Sequence, residues 1–256
     1  MKEYNIFQFI CREDNYGVII TDKETGLTLS IDAPDASAVD SQLQKNNLQL
    51  SHLFITHKHH DHIDGIEFLK KKYDCTVIGP DSEKDDIPFL DKTVIGEEYI
   101  DFSGSPVRVI ETPGHTLGHV VYFFERENIL FAGDTIFLMG CGRVFEGSHQ
   151  QMYESMKKIK SLPINSTIYC GHEYSLQNAK FAASIEPNNK QVQTRLEEIE
   201  RNTNQNIPSL PTKLELEIKT NPFLRYDSLD LKKALKMQSS SEDLVFSEIR
   251  TRKDNF

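Results

Sequence analysis

Apolar positions come in short β-rich blocks through the earlier part of the chain and at helical spacing near its end. Residues 6–10, 17–21 and 27–31 predict antiparallel strands, the last two joined by a turn, Asp22-Lys23-Glu24-Thr25-Gly26, that ends in glycine. Residues 36–46 predict a surface helix, and Leu50-Ser51-His52-Leu53-Phe54-Ile55 a buried strand. Beyond it, apolar residues 63, 66 and 69, with Phe68 alongside, keep helical spacing to residue 70. Residues 76–80 read as a short strand closed by Gly79-Pro80, residues 81–88 as a polar loop, and residues 107–111 as a strand. Residues 120–125 and 129–132 form a hairpin around Arg126-Glu127-Asn128. A glycine-rich loop over residues 139–147 leads to a helix over 150–162, stopped near Pro163, and residues 167–170 are the last clear strand. After Tyr174 strands nearly vanish, and residues 176–181, 192–201, 231–237 and 242–251 read as helices. The expectation is an α+β chain with a mixed domain over residues 1–174 and a smaller helical one over 175–256.

Metal-ligating side chains stand just past the carboxyl ends of four of these strands. His57, His59, Asp61 and His62 follow the strand ending at Ile55, in the stretch Thr56-His57-Lys58-His59-His60-Asp61-His62. His115 follows the strand over 107–111, Asp134 the hairpin, and His172 the strand over 167–170. Strand ends of this kind are where open α/β sheets leave room for ligands. Clustered imidazoles without a cation gain little and repel one another when protonated. Imidazole and carboxylate together suit zinc, iron or manganese. Five histidines and two aspartates exceed what one tetrahedral ion needs; two ions sharing a carboxylate would use them all.

Charge and composition narrow the field. A net charge of −10 over 256 residues lacks the basic stripe of a nucleic-acid surface. No apolar run approaches membrane-spanning length, and the start has no signal or transit pattern. Cys11, Cys75, Cys141 and Cys170 are scattered without paired spacing, which fits reduced thiols and a cytoplasmic location.

The motifs together carry a resemblance. The chain resembles the metallo-β-lactamase superfamily, through the stretch at 56–62, Thr112-Pro113-Gly114-His115-Thr116, Phe131-Ala132-Gly133-Asp134-Thr135 and Tyr169-Cys170-Gly171-His172-Glu173-Tyr174. Gly140-Cys141-Gly142-Arg143, Asn221-Pro222-Phe223-Leu224-Arg225 and Arg250-Thr251-Arg252-Lys253-Asp254 are more specific, and resemble the glyoxalase II (hydroxyacylglutathione hydrolase) family. The resemblance implies an αββα sandwich followed by a helical domain. It implies that His57, His59 and His115 hold one metal, that Asp61, His62 and His172 hold a second, and that Asp134 bridges them. Asp61 and Asp134 would then be catalytic as well as ligating. The cofactors would be two divalent ions, zinc ahead of iron or manganese.

The implied reaction is hydrolysis of S-D-lactoylglutathione to D-lactate and glutathione, the second step of methylglyoxal degradation. The attacking group would be a hydroxide held between the metals. Arg250 and Lys253 would meet the glycine carboxylate of glutathione, and Arg143, Phe145 and Tyr174 would line the rest of the tripeptide. The family commonly has lysine at the position of Arg143 and tyrosine at that of Phe145. Losing the phenol removes one hydrogen-bond donor, worth about 0.5–1.5 kcal/mol if bonded. His119 is either an orienting neighbour or a packing residue, and His52, His60 and His149 are not ligands. A monomer is expected, with no nucleic-acid or membrane partner. The rival readings are a glutathione persulfide dioxygenase with a single iron, a dinuclear nuclease and a non-catalytic metal scaffold. The full second triad argues against the first, and the acidic chain against the second.

Overall fold

Strand β1 (Tyr4–Cys11) turns back on β2 (Asn15–Asp22), which pairs antiparallel with β3 (Thr28–Ile31). β2 and β3 are buried along their whole length, while the edge strand β1 is mostly half-buried, with Asn5 and Ile10 exposed. The computed structural model describes residues 2–256. The chain divides into two units, one running to Glu111 and including Thr116–Gly133, the other made of Thr112–His115 and Asp134–Phe256.

In the first unit, helix α1 (Ala36–Lys45) carries the chain from β3 to β4 (Leu50–Phe54), which pairs parallel with β3. Asp35 caps α1 by accepting from the Ala38 amide at 2.9 Å. A short helix α2 (His60–Ile63) and then α3 (Ile66–Tyr73) follow. Strands β5 (Thr76–Pro80) and β6 (Lys92–Val94) add parallel pairs and complete a six-stranded sheet in the order β1-β2-β3-β4-β5-β6. On one face Val39 and Leu43 of α1 and Ile66 and Leu69 of α3 pack on Ile19, Leu53, Ile55 and Val77. Each such side chain, fully buried, contributes roughly 1.5–3 kcal/mol. The other face meets an antiparallel set, β7 (Tyr99–Phe102), β8 (Ser105–Glu111), β9 (Val120–Phe124) and β10 (Ile129–Phe131). Phe54 packs against Tyr122 and Phe102 at ring separations of 5.1 and 6.2 Å, so the strand that feeds the histidine stretch is fixed between two layers.

The second unit opens with a minimal hairpin, β11 (Ile136–Phe137) and β12 (Gly140–Cys141). Helix α4 (His149–Lys160) starts in a capping box made by Ser148 and Gln151. Strand β13 (Thr167–Tyr169) precedes α5 (Ser175–Ile185) and α6 (Lys190–Asn204). β14 (Thr212–Lys213) returns antiparallel to β13 and leads to α7 (Leu214–Thr220), α8 (Leu229–Leu235) and α9 (Glu242–Asp254). Tyr153 of α4 lies 4.9 Å from the Tyr226 ring and 5.8 Å from that of Phe246 on α9. Among the described residues no helix is long and apolar enough to cross a membrane.

The differences from the sequence reading are local. The helix expected through residue 70 is broken at Asp64-Gly65 into α2 and α3. Ala33 causes the break, because its amide donates to His62 O and its carbonyl accepts the Gly65 amide, both at 2.8 Å. The loop at 81–88 contains a 3-10 turn whose Glu83 is buried. β6, β7, β11, β12 and β14 and helix α7 were not legible as elements; five are four residues or fewer, too short for a period to register.

Candidate metal centre

The histidine stretch leaves β4 in extended backbone, and the buried Tyr122 hydroxyl holds its start by donating to Ile55 O at 2.7 Å. His57 and His62 are buried, His59 and Asp61 partly so. His57 Nε2 lies 3.1 Å from His59 Nδ1, and His62 Nε2 3.6 Å from Asp61 Oδ2. In the second unit one oxygen, Asp134 Oδ2, lies 3.3 Å from His115 Nε2 and 3.3 Å from His172 Nε2. Three groups of donor atoms lie within 4.8 Å of one another: His57, His59 and His115; His57, His62 and Asp134; Asp61, His62 and His172. All seven ligand candidates from the sequence fall in these groups, and each group could hold a metal ion.

The neighbours set which imidazole nitrogen is left for a ligand bond. Asp32 accepts the Thr56 amide at 2.7 Å, the Thr56 hydroxyl at 2.9 Å and His62 Nδ1–H at 2.7 Å. Since the Thr56 hydroxyl proton goes to Asp32, its oxygen accepts from His57 Nδ1–H at 3.0 Å. His115 Nδ1–H donates to the Arg143 carbonyl at 2.8 Å. All three rings, with tautomers assigned from these bonds, keep an Nε2 lone pair for a cation, as metal-binding histidines do. Asn15 donates to Asp61 Oδ2 at 2.9 Å and orients that carboxylate. Glu83 accepts the amides of Lys58 at 2.7 Å and Gly118 at 3.0 Å, and burial pushes its carboxyl above the ordinary range. His119 is buried and stacks on the His57 ring at 4.7 Å, so it is at least a packing residue of the site. Gly133 has φ +46°, and a Cβ there would stand 2.7 Å from Thr56 Oγ1 and 2.8 Å from His119 Nε2. At Gly142 a Cβ would overlap Asp134 O at 2.0 Å. Both glycines therefore let backbone approach where a side chain cannot.

Asp32, Asn15 and Glu83 escaped the sequence reading, and Thr56 entered it only as the first residue of the motif. Asp32 carried a usable signal, since it follows the end of β3 as His57, Asp134 and His172 follow strands. Asp32→Ala is expected to lower metal affinity or activity about 10–100-fold, the usual cost of losing a ligand's orienting partner. Metal titration of the purified variant checks this, and parent-like affinity would exclude the orienting role.

The residues expected at glutathione are distributed unevenly. Tyr174 stacks on His172 with ring centroids 4.8 Å apart and an interplanar angle of 5°. Phe145 is 60 % exposed and meets the His115 ring edge-on at 5.3 Å, with the Arg143 guanidinium 5.9 Å over its face. The Lys253 ammonium lies over the rings of Phe181 and Phe256, at 5.4 and 5.3 Å. Burial, with Arg250 and Arg143 nearby, lowers its ammonium pKa to about 8. Arg250 is buried, donates from Nη1 to Cys141 O at 2.9 Å and from Nη2 to Asp254 at 2.9 Å, and covers the Phe223 ring. Its cation is thus largely committed inside the protein. Arg252 is exposed and pairs with Glu248. His149 bonds Ser247, and His52 packs edge-on to Phe54 and Phe102.

Comparison with known proteins now bears on this geometry. The metallo-beta-lactamase superfamily model matches residues 24–172, and the model of the hydroxyacylglutathione hydrolase C-terminus matches residues 173–256. A hydroxyacylglutathione hydrolase of Bartonella henselae is 47% identical over 98% of this chain and 99% of its own. One of Brucella abortus is 45% identical over 100% of this chain and 99% of its own. The chain belongs to the hydroxyacylglutathione hydrolase family. Its fold is accordingly the metallo-β-lactamase fold followed by the family's helical C-terminal domain. Solved structures repeat the fold at lower identity. ETHE1 from Myxococcus xanthus has TM-score 0.68 at 23% identity, covering 96% of this chain and 90% of that one. TTHA1623 in a di-iron-bound form has TM-score 0.61 at 19% identity, covering 85% and 100%. The family's fold and the grouped His and Asp donors point to divalent metal ions.

Proposed function

We propose that this chain hydrolyses S-2-hydroxyacylglutathiones, S-D-lactoylglutathione first among them, to the hydroxy acid and glutathione. The observation that carries this is full-length identity of 45–47% to hydroxyacylglutathione hydrolases. The chemistry of the donor set fits two divalent ions, zinc ahead of iron or manganese. His57, His59 and His115 would hold one, Asp61, His62 and His172 the other, and Asp134 would serve both. When bound, such ions supply a water activated near neutral pH and a Lewis acid for the carbonyl oxygen.

The chain's own residues do the rest. Asp61, oriented by Asn15, and Asp134 are the carboxylates beside the reacting centre and accept the proton the water gives up. Water attacks the thioester carbonyl, the C–S bond breaks, and glutathione leaves as a thiolate, whose ordinary pKa of about 8.5 makes prior protonation unnecessary. Phe145 and Tyr174 would offer aromatic faces to the tripeptide, while Lys253, with Arg143 and Arg250 behind it, would meet a carboxylate. The test is release of D-lactate and free thiol in equal amounts from S-D-lactoylglutathione by the metal-loaded protein. No release, with metals bound, would refute the assignment. A single-iron oxidation gains no support, because it leaves the group Asp61, His62 and His172 without a purpose.

Lys253 makes the substrate reading sensitive to pH. Its protonated form attracts an anion, and the proton is lost as pH rises through about 8. KM for the thioester is therefore expected to rise several-fold between about pH 7 and about pH 9, with kcat little changed, since a remote carboxylate is bound alike in ground and transition states. Lys253→Met should start from the higher KM and flatten the profile. An unchanged KM profile would remove Lys253 from the binding site.

We also propose a domain division at residue 174, supported by the two family models meeting at residues 172 and 173. A cytoplasmic monomer is the accompanying reading, supported for its compartment by four free, buried thiols.

A further inference from the structure

The motif Asn221-Pro222-Phe223-Leu224-Arg225 has no part in the chemistry above, yet its first residue is wholly buried. Asn221 ends α7, and its Nδ2 donates to Gly140 O at 2.9 Å and Phe137 O at 3.2 Å. Glu217, one turn earlier and also wholly buried, accepts the Met139 amide on Oε2 at 2.8 Å. From α5, Asn178 donates to Leu138 O at 3.2 Å. The backbone groups across residues 137–140 that the two-residue strands leave over are thus satisfied by side chains of the helices. Met139 has φ 54°, a conformation that a residue with a side chain holds only when its surroundings enforce it.

Glu217 is braced in turn. Its Oε1 accepts from Arg195 and from the Thr212 hydroxyl, and Arg195 also bonds Thr220. A buried ion pair adds little net stability compared with an apolar pair of the same size, so its presence points to a need for defined geometry. What the hairpin carries explains that need. At one end is Asp134, whose carbonyl packs on Gly142, and the Gly142 amide bonds Thr135 O at 3.1 Å. At the other end Cys141 O receives Arg250, and Arg143 O orients His115.

We propose that Glu217 and Asn221 are positioning residues that clamp the β11–β12 hairpin, so that Asp134 stands between His115 and His172 and the Arg143 carbonyl faces His115. The inference rests on the reading of these side chains as metal ligands. Neither clamp residue belongs to the donor groups.

The experiment measures zinc affinity by chelator competition in the full-length apoprotein and its variants Asp134→Ala, Asn221→Ala and Asn221→Ser, with hydrogen exchange of the same apoproteins. Asp134→Ala isolates the ligand reading: parent-like affinity there overturns that reading and the clamp with it. Given a loss at Asp134, the Asn221 variants are expected to bind zinc about 10–100-fold more weakly. Exchange should quicken over residues 136–142 and stay slow in α4 and α9. Zinc affinity within twofold of the parent overturns the clamp and leaves the ligand reading standing. So does faster exchange throughout the protein, which marks a general packing role. Serine is too short to reach either carbonyl but is a milder change than alanine; if the alanine variant does not fold, Asn221→Ser decides by the same two readouts.

Discussion

Exhaustive chelation is expected to reduce hydrolysis of S-D-lactoylglutathione to the uncatalysed rate, and returned zinc, iron or manganese to restore it. The loss should be the whole enzymatic acceleration, on the order of 10⁶-fold or more. The reason lies in what the chain lacks once the cations are gone. Its thiols are poor substitutes as nucleophiles: burial holds Cys141 up at about 11 and Cys170 well above the ordinary thiol range. The histidines are arranged as ligands, with Nδ1–H of His57, His62 and His115 committed to Thr56, Asp32 and the Arg143 carbonyl. Metal content and initial rate measured on the same sample check this. Full activity in a preparation with no detectable metal would end the hydrolytic scheme.

Asp134→Ala is expected to lower kcat about 10³-fold or more, the scale of several kcal/mol of lost charge stabilisation, and to lower metal content as well. Asp134 is buried, and a single oxygen of it stands 3.3 Å from both His115 and His172. A carboxylate oxygen has lone pairs enough for two partners. Removing it therefore also takes away the neighbour of His115 in one donor group and of His172 in another. Asp134→Asn keeps the shape and loses the charge, and should fall between alanine and the parent. Steady-state kinetics with metal analysis check both variants; kcat within tenfold of the parent for alanine would show that the carboxylate does not serve two ions.

The site was unusually legible because its residues obey a positional rule. Strands such as Leu50–Phe54 and Thr167–Tyr169 are visible from their apolar pattern, and the ligand candidates come just after them. The supporting residues were less legible for the opposite reason. Asn15 lies at the start of a strand, Glu83 in a polar stretch, and Glu217 in a helix too short and charged to show a period. Nothing in their local sequence distinguishes them from surface residues. Arg250 was expected, with Lys253, to meet the glycine carboxylate of glutathione. In the fold it lies on the inward face of α9, which carries Val245, Phe246 and Ile249 as well, and so it reaches Cys141 O.

The sequence by itself determined the family, the strand–helix order around each motif and seven candidate donor residues, because these depend on side-chain chemistry and local periodicity. Only the tertiary structure decided which nitrogen His57, His62 and His115 keep for a ligand, that Asp32 serves both Thr56 and His62, and that Asn221 and Glu217 bond a hairpin about eighty residues away in the chain, at residues 137–140. Hydrogen bonds between distant segments fix those choices, and their partners meet only after the sheets and helices have packed.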